Sequence, residues 1–139
     1  MRRFLALPAL AAALALSGCG HLDVSPEGNP LRVLTGQIEL GDSVALPEDT
    51  TVTVRVVDLT AAGMPPQVLG SQTITHPGTA PVPFRIEYTA DDETLRRGLN
   101  IEARVSFGGK VKYYNVNRYA VTLGNASDPH RVTVAPAGR

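Results

Sequence analysis

Beyond residue 30 the chain alternates with a period of two, and few folds accept that pattern. Leu34, Gly36, Ile38 and Leu40 alternate with Thr35, Gln37 and Glu39. Val52, Val54 and Val56 alternate with Thr51, Thr53 and Arg55. Phe84, Ile86 and Tyr88 alternate with Arg85 and Glu87, and Leu99, Ile101, Ala103, Val105 and Phe107 with Asn100, Glu102, Arg104 and Ser106. Successive side chains on an extended backbone point to opposite faces, so each run carries one apolar and one polar face. That is the pattern of half-buried antiparallel strands. Weaker strands are expected at Val68–Thr75, Val111–Asn115, Tyr119–Leu123 and Arg131–Val134, where valine and threonine again suit extended backbone. If the faces are assigned correctly, Val54, Ile86, Ile101 and Val105 share one core.

The breaks between runs carry their own chemistry. Gly108-Gly109 suits a tight hairpin turn that needs positive φ at both positions. Ala61–Pro66 and His76–Pro83 are proline-bearing connections. One short helical signal stands out: Asp91-Asp92-Glu93 precedes Leu95, Arg96, Arg97 and Gly98, with acids at the start, bases at the end and a glycine where a helix would stop. The expected fold is therefore all-β: a small antiparallel β-sandwich of about seven to eight strands with one short helical turn. A true immunoglobulin domain is excluded, since the sequence has no tryptophan and a single cysteine.

The N-terminus obeys a different rule. Arg2 and Arg3 precede an apolar stretch, Phe4–Leu16, and Leu16-Ser17-Gly18-Cys19 closes it. The stretch is about 20 Å of helix at 1.5 Å per residue, too short for a bilayer core of about 30 Å. It reads as an export signal ending in the lipobox of bacterial lipoproteins, with the Cys19 thiol alkylated by diacylglycerol, the chain cut before it and the new amino terminus acylated. An ordinary A-x-A cleavage site at Ala13-Leu14-Ala15 is the competing reading; it would export a free thiol. Acyl chains contribute roughly 0.8 kcal/mol per buried CH₂, so a lipidated terminus is a stable anchor. Gly20, rather than the aspartate that favours inner-membrane retention, points to the outer membrane, with the domain facing the periplasm. The expected organisation is a signal peptide at 1–18, a flexible tether at 19–30, rich in proline and glycine, and a β-sandwich domain at 31–136.

Cleavage before Cys19 leaves 121 of the 139 residues and removes two arginines from a chain of formal net charge zero, so the mature charge is −2. That excludes a strong electrostatic bias toward nucleic acid. With Cys19 committed to lipid no disulfide can form, and the domain must rely on burial.

Catalytic constellations are scarce. The three histidines, His21, His76 and His130, have no partner at metal-ligand spacing. Asp91, Asp92 and Glu93 fit a helix start better than a calcium loop. There is no G-x-S-x-G and no S-x-x-K. No catalytic residue, cofactor or metal is expected.

The alternation fails in Val111-Lys112-Tyr113-Tyr114-Asn115-Val116-Asn117-Arg118-Tyr119, where both faces carry large side chains. A bulge between Tyr113 and Asn117 would switch the inward face; alternatively, both faces are covered at this point. Tyr113, Tyr114 and Arg118 are the candidate partner surface. Basic residues interleaved with tyrosines superficially match a nucleic-acid surface, but the compartment and the mature charge oppose it.

Several of these elements together resemble the YbaY family of lipoproteins, which also takes in the YscW-type pilotins of type III secretion. They are Thr35-Gly36-Gln37-Ile38, Ala45-Leu46-Pro47, Val54–Thr60, Pro83-Phe84 through Tyr88, Ala103-Arg104-Val105 with Gly109, and Tyr119-Ala120-Val121. The order is preserved from Val33 to Val134. Ala62-Gly63-Met64-Pro65 departs from the A-D-A-P segment often found there and lacks its acid. The resemblance implies a small β-sandwich and, through the pilotins, a protein that holds a secretin subunit and helps it assemble in the outer membrane. It implies no catalytic residues. The expected function is a non-enzymatic, outer-membrane-anchored lipoprotein that binds an envelope protein as a pilotin-like assembly chaperone. The alternative is a glycan or small-ligand binding module, with Tyr113 or Tyr114 as a stacking platform.

Overall fold

A computed structural model describes residues 30–138 except 42 and 60–62. The expected signal peptide, the lipidation site Cys19 and all of the tether but Pro30 lie outside the described residues. Within them the chain runs β1 (Leu31–Glu39), β2 (Thr51–Asp58), β3 (Gln67–Thr75), β4 (Val82–Thr89), α1 (Asp92–Arg97), β5 (Leu99–Phe107), β6 (Lys110–Tyr114), β7 (Ala120–Val121), β8 (His130–Thr133) and β9 (Ala135–Pro136).

The strands form two sheets that pack as a sandwich. One has the order β4-β1-β8; the other has the order β3-β2-β5-β6-β9, with β7 also paired to β5. The all-β expectation holds. The described strands number nine, because β9, two residues long and half proline, has no alternation by which to be seen. Among the pairings, β1 with β8 is parallel, with Gly36 opposite His130 and Glu39 opposite Thr133. The expected strand Tyr119–Leu123 shrinks to Ala120–Val121. Asn125 ends it by accepting from the Thr122 N–H (2.7 Å) and donating to the Ala120 carbonyl (3.0 Å).

The inward faces meet in one core. On β4, Val82, Phe84, Ile86 and Tyr88 are buried while the residues between them are exposed. Val52, Val54 and Val56 from β2 and Leu99, Ile101, Ala103 and Val105 from β5 complete the facing layer. Val54, Ile86, Ile101 and Val105 all belong to this cluster, as the alternation requires. Burying such side chains contributes about 1.5–3 kcal/mol each.

The edge between the sheets is closed where β3 passes β4. A Cβ at Gly70 would lie 2.5 Å from the Glu87 carbonyl oxygen, so only glycine permits this approach. The Gln72 side chain accepts the Arg85 backbone N–H at 2.7 Å, satisfying an edge donor of β4. Gly108 and Gly109 take φ of 62° and 74° in the β5–β6 turn, the two positive values expected of them.

Helix α1 is made as its sequence directs. Asp91 caps it by accepting from the Thr94 N–H (2.7 Å), and hydrogen bonding from the Thr94 side chain, then from its backbone N–H, holds the Asp91 carboxyl below the usual aspartate range. Gly98 ends it, its N–H reaching the Thr94 and Leu95 carbonyls. Leu95 anchors the turn in the core, and Arg32 of β1 ties the flanks together through Ala90 (2.7 Å) and Asp92 (2.6 Å). Tyr88 is buried with no hydrogen-bond partner for its hydroxyl among the described residues. Desolvation raises its pKa, while the nearby Arg32 charge opposes the rise.

Candidate functional site

Strand β5 has a complete neighbour along one edge only. On that edge β2 pairs with it without interruption from Thr51↔Ser106 to Val57↔Asn100. On the other, β6 covers Arg104–Phe107 and β7 covers Leu99 and Asn100. Asn115 fills the interval. Its backbone N–H donates to the Ala103 carbonyl (3.3 Å), its side-chain oxygen accepts from the Ala103 N–H (2.7 Å), and its amide donates to the Ile101 carbonyl (2.9 Å) and the Asn117 carbonyl (3.0 Å). One side chain thus does the hydrogen bonding of a missing strand segment. Farther along, the Ile101 N–H reaches the Tyr119 carbonyl (3.0 Å) and Asn100 accepts from the Tyr119 N–H (3.0 Å).

The chain from Asn115 to Arg118 therefore runs beside β5 as a loop rather than a strand. Between it and β5 lies an open groove of about 270 Å³, lined among others by Leu59, Glu102, Arg104, Tyr114, Val116 and Arg118. Glu102 is ion-paired with Arg55 on β2. Arg104 and Arg118 are exposed, and among the described residues neither is in an ion pair. Tyr114 and Val116 remain 40% and 65% exposed.

The structure separates the three candidate surface residues. Tyr114 stands opposite Arg104 on the outer face and lines the groove with Arg118. Tyr113 stands opposite Val105, faces inward and packs against the core. The expected bulge between Tyr113 and Asn117 is corrected: the register shifts opposite Val105 and Ser106, so the extra residue on β6 is Lys112, between Val111 and Tyr113. Lys112 sits 5.5 Å from the Phe107 ring, a cation–π contact that suits the displaced side chain. Beyond Tyr114 the strand ends, because Asn115 spends its side chain on β5. Sequence reasoning missed Leu59, Arg104 and Val116. The outward phase of Arg104 was readable, but its placement beside Tyr114 needs the register.

Among the described residues no group of three or more His, Cys, Asp or Glu side chains is placed to hold a metal ion, and no helix is long and apolar enough to cross a membrane. His76 and His130 are far apart in sequence, and His130 contacts the Asn125 carbonyl through its ring nitrogen at 3.1 Å.

The family model for the type III secretion system lipoprotein chaperone YscW matches residues 29–134, from two residues before β1 to one residue beyond β8. The chain belongs to the YscW family. The resemblance to YscW-type pilotins drawn from the sequence is thereby shown, and it spans β1 to β8 and the residues named around the groove. Among solved structures, an alternative pilotin from the type II secretion system of Vibrio cholerae is similar, with a TM-score of 0.66 and 21% identity. The match covers 79% of this chain and 100% of that one, and at this identity it supports the fold of this YscW-family chain. No curated protein matches it.

Proposed function

We propose that this YscW-family chain is a periplasmic chaperone, tethered to the outer membrane through acylated Cys19, that binds another envelope protein and helps it assemble as a pilotin does. The family match over residues 29–134 carries this reading, because it covers eight of the nine described strands and every residue named as lining the groove. The lipobox Leu16-Ser17-Gly18-Cys19 supports the anchor. The groove beside β5 supports binding: it is concave, with exposed apolar side chains beside two arginines that have no ion pair among the described residues, and such a surface is suited to a protein partner. The chain works by binding; the chaperone family calls for no catalytic set.

Two experiments test the two halves. Mass spectrometry of the native protein should find a mature terminus at Cys19 carrying lipid, and Cys19→Ser should abolish lipid labelling. A mature terminus at Leu16 with an unmodified thiol would remove the anchor. Crosslinking in intact cells should trap one specific envelope protein whose assembly fails when the chain is deleted; recovery of background proteins alone would sink the chaperone reading. A thermal-shift screen with glycans addresses the alternative module, for which Tyr114 is the stacking platform that lines the groove.

A further inference from the structure

We infer that the groove beside β5 receives an acidic segment of the partner, one carrying apolar side chains among its carboxylates. The inference rests on the reading of the chain as a binder of an envelope protein and adds the chemistry of what it grips.

The sign of the groove follows from its pairings. Among the described residues three charged side chains line it: Glu102, Arg104 and Arg118. Arg55 on the neighbouring strand neutralises Glu102. Arg104 and Arg118 have no carboxylate in an ion pair among the described residues. The groove is therefore positive although the mature chain is expected to be net negative. A guanidinium presents a fork of donors that matches a carboxylate in two-point contact. Arg104 extends from the floor, on β5, and Arg118 from the loop that forms the wall. Two cations so placed would grip carboxylates on a segment lying between them.

The apolar part is adjacent. Leu59, Tyr114 and Val116 line the same groove at 36%, 40% and 65% exposure. Tyrosine and arginine are the side chains that most often dominate binding energy, and aliphatic neighbours exclude water around them. A membrane surface is less well matched, since two cations in a concavity do not make a flat basic face. A partner segment with carboxylates spaced between apolar residues satisfies both components.

The test uses the full-length lipoprotein in its own cells, with a photoreactive amino acid at Val116 or, as control, at Glu87 on the outer face of the three-stranded sheet. The expected result is an adduct at position 116 with one envelope protein, the crosslinked peptide rich in Asp or Glu. Joint Arg104→Glu and Arg118→Glu should cut the adduct yield about tenfold, as reversal of charges at an interface slows association, while Arg104→Lys with Arg118→Lys retains most of it. A thermal melt matching the parent shows that the reversed variant is folded; if it is not, Arg104→Gln with Arg118→Gln takes its place. A neutral or basic crosslinked segment, a yield indifferent to charge reversal, an adduct with lipid, or capture from position 87 instead of 116 would each overturn the inference, and all but the lipid adduct leave the partner reading standing. No envelope protein at either position would overturn both.

Discussion

The two edges of strand β5 are held by different chemistry. Toward β2 the ladder is continuous and the inward residues Val52, Val54, Val56, Ile101, Ala103 and Val105 are all buried. Toward β6 and β7 the ladder stops in the middle, and the Asn115 amide takes over. Both neighbours meet the same backbone, so the difference lies in the neighbours' sequences. Alternating valines and threonines can run the full length of β5 because each residue serves one face. The run Tyr113–Asn117 does not alternate, and asparagine competes for the backbone with its own side chain. The first edge builds stability; the second leaves an open surface whose arginines, Arg104 and Arg118, have no ion pair among the described residues.

That contrast can be tested by how much each part costs to remove. Ile101→Ala, on the continuous side, should lower unfolding stability by about 3 kcal/mol through lost burial and the cavity left behind. Chemical denaturation measures it, and a loss no larger than that of a surface change would mean that β5 does not face the core as described. Asn115→Ala comes next, at about 1–3 kcal/mol, because the Ala103 N–H and Ile101 carbonyl lose partners. Asn115→Asp should not rescue it, since a carboxylate can accept from Ala103 but cannot donate to Ile101. If Asn115→Ala were neutral, water would be replacing the amide, and the second edge would owe nothing to that side chain. Glu102→Gln, which weakens the pair with Arg55 on the outer face, should cost under about 1 kcal/mol, given that both partners are partly solvated; a high-salt melt should narrow the gap to the parent. Smallest of all, Arg118→Gln should change the melt by less than about 0.5 kcal/mol while reducing partner crosslinking. A large stability loss there would turn the cation from a binding group into a structural one.

How far the chain could be read in advance depended on the range of the interaction. The four alternating runs became β1, β2, β4 and β5, since burial of one face acts residue by residue. The cap at Asp91, the stop at Gly98 and the Gly108-Gly109 turn were legible for the same reason: each is decided within a few residues. Tyr119–Leu123 was read too long because the Asn125 side chain cuts it short from within a turn. Arg118 and Tyr114 stand out as candidates because the alternation fails around them. Tyr113 was grouped with them, although a one-residue change of phase at Lys112 sends it inward.

By itself, then, the sequence determined which segments are extended, which face of each is apolar, where the helix and the tight turn lie, and an N-terminal signal that predicts a lipid anchor. These rest on local geometry: a two-residue period, a capping carboxylate, glycines at positive φ. The tertiary structure alone decided the parallel pairing of β1 with β8, the close passage of β3 over β4 at Gly70, and the meeting of Leu59, Arg104, Val116 and Arg118 around one groove. Those depend on register between segments far apart in the chain, which hydrogen-bond ladders and core packing set jointly and which no single run of residues encodes.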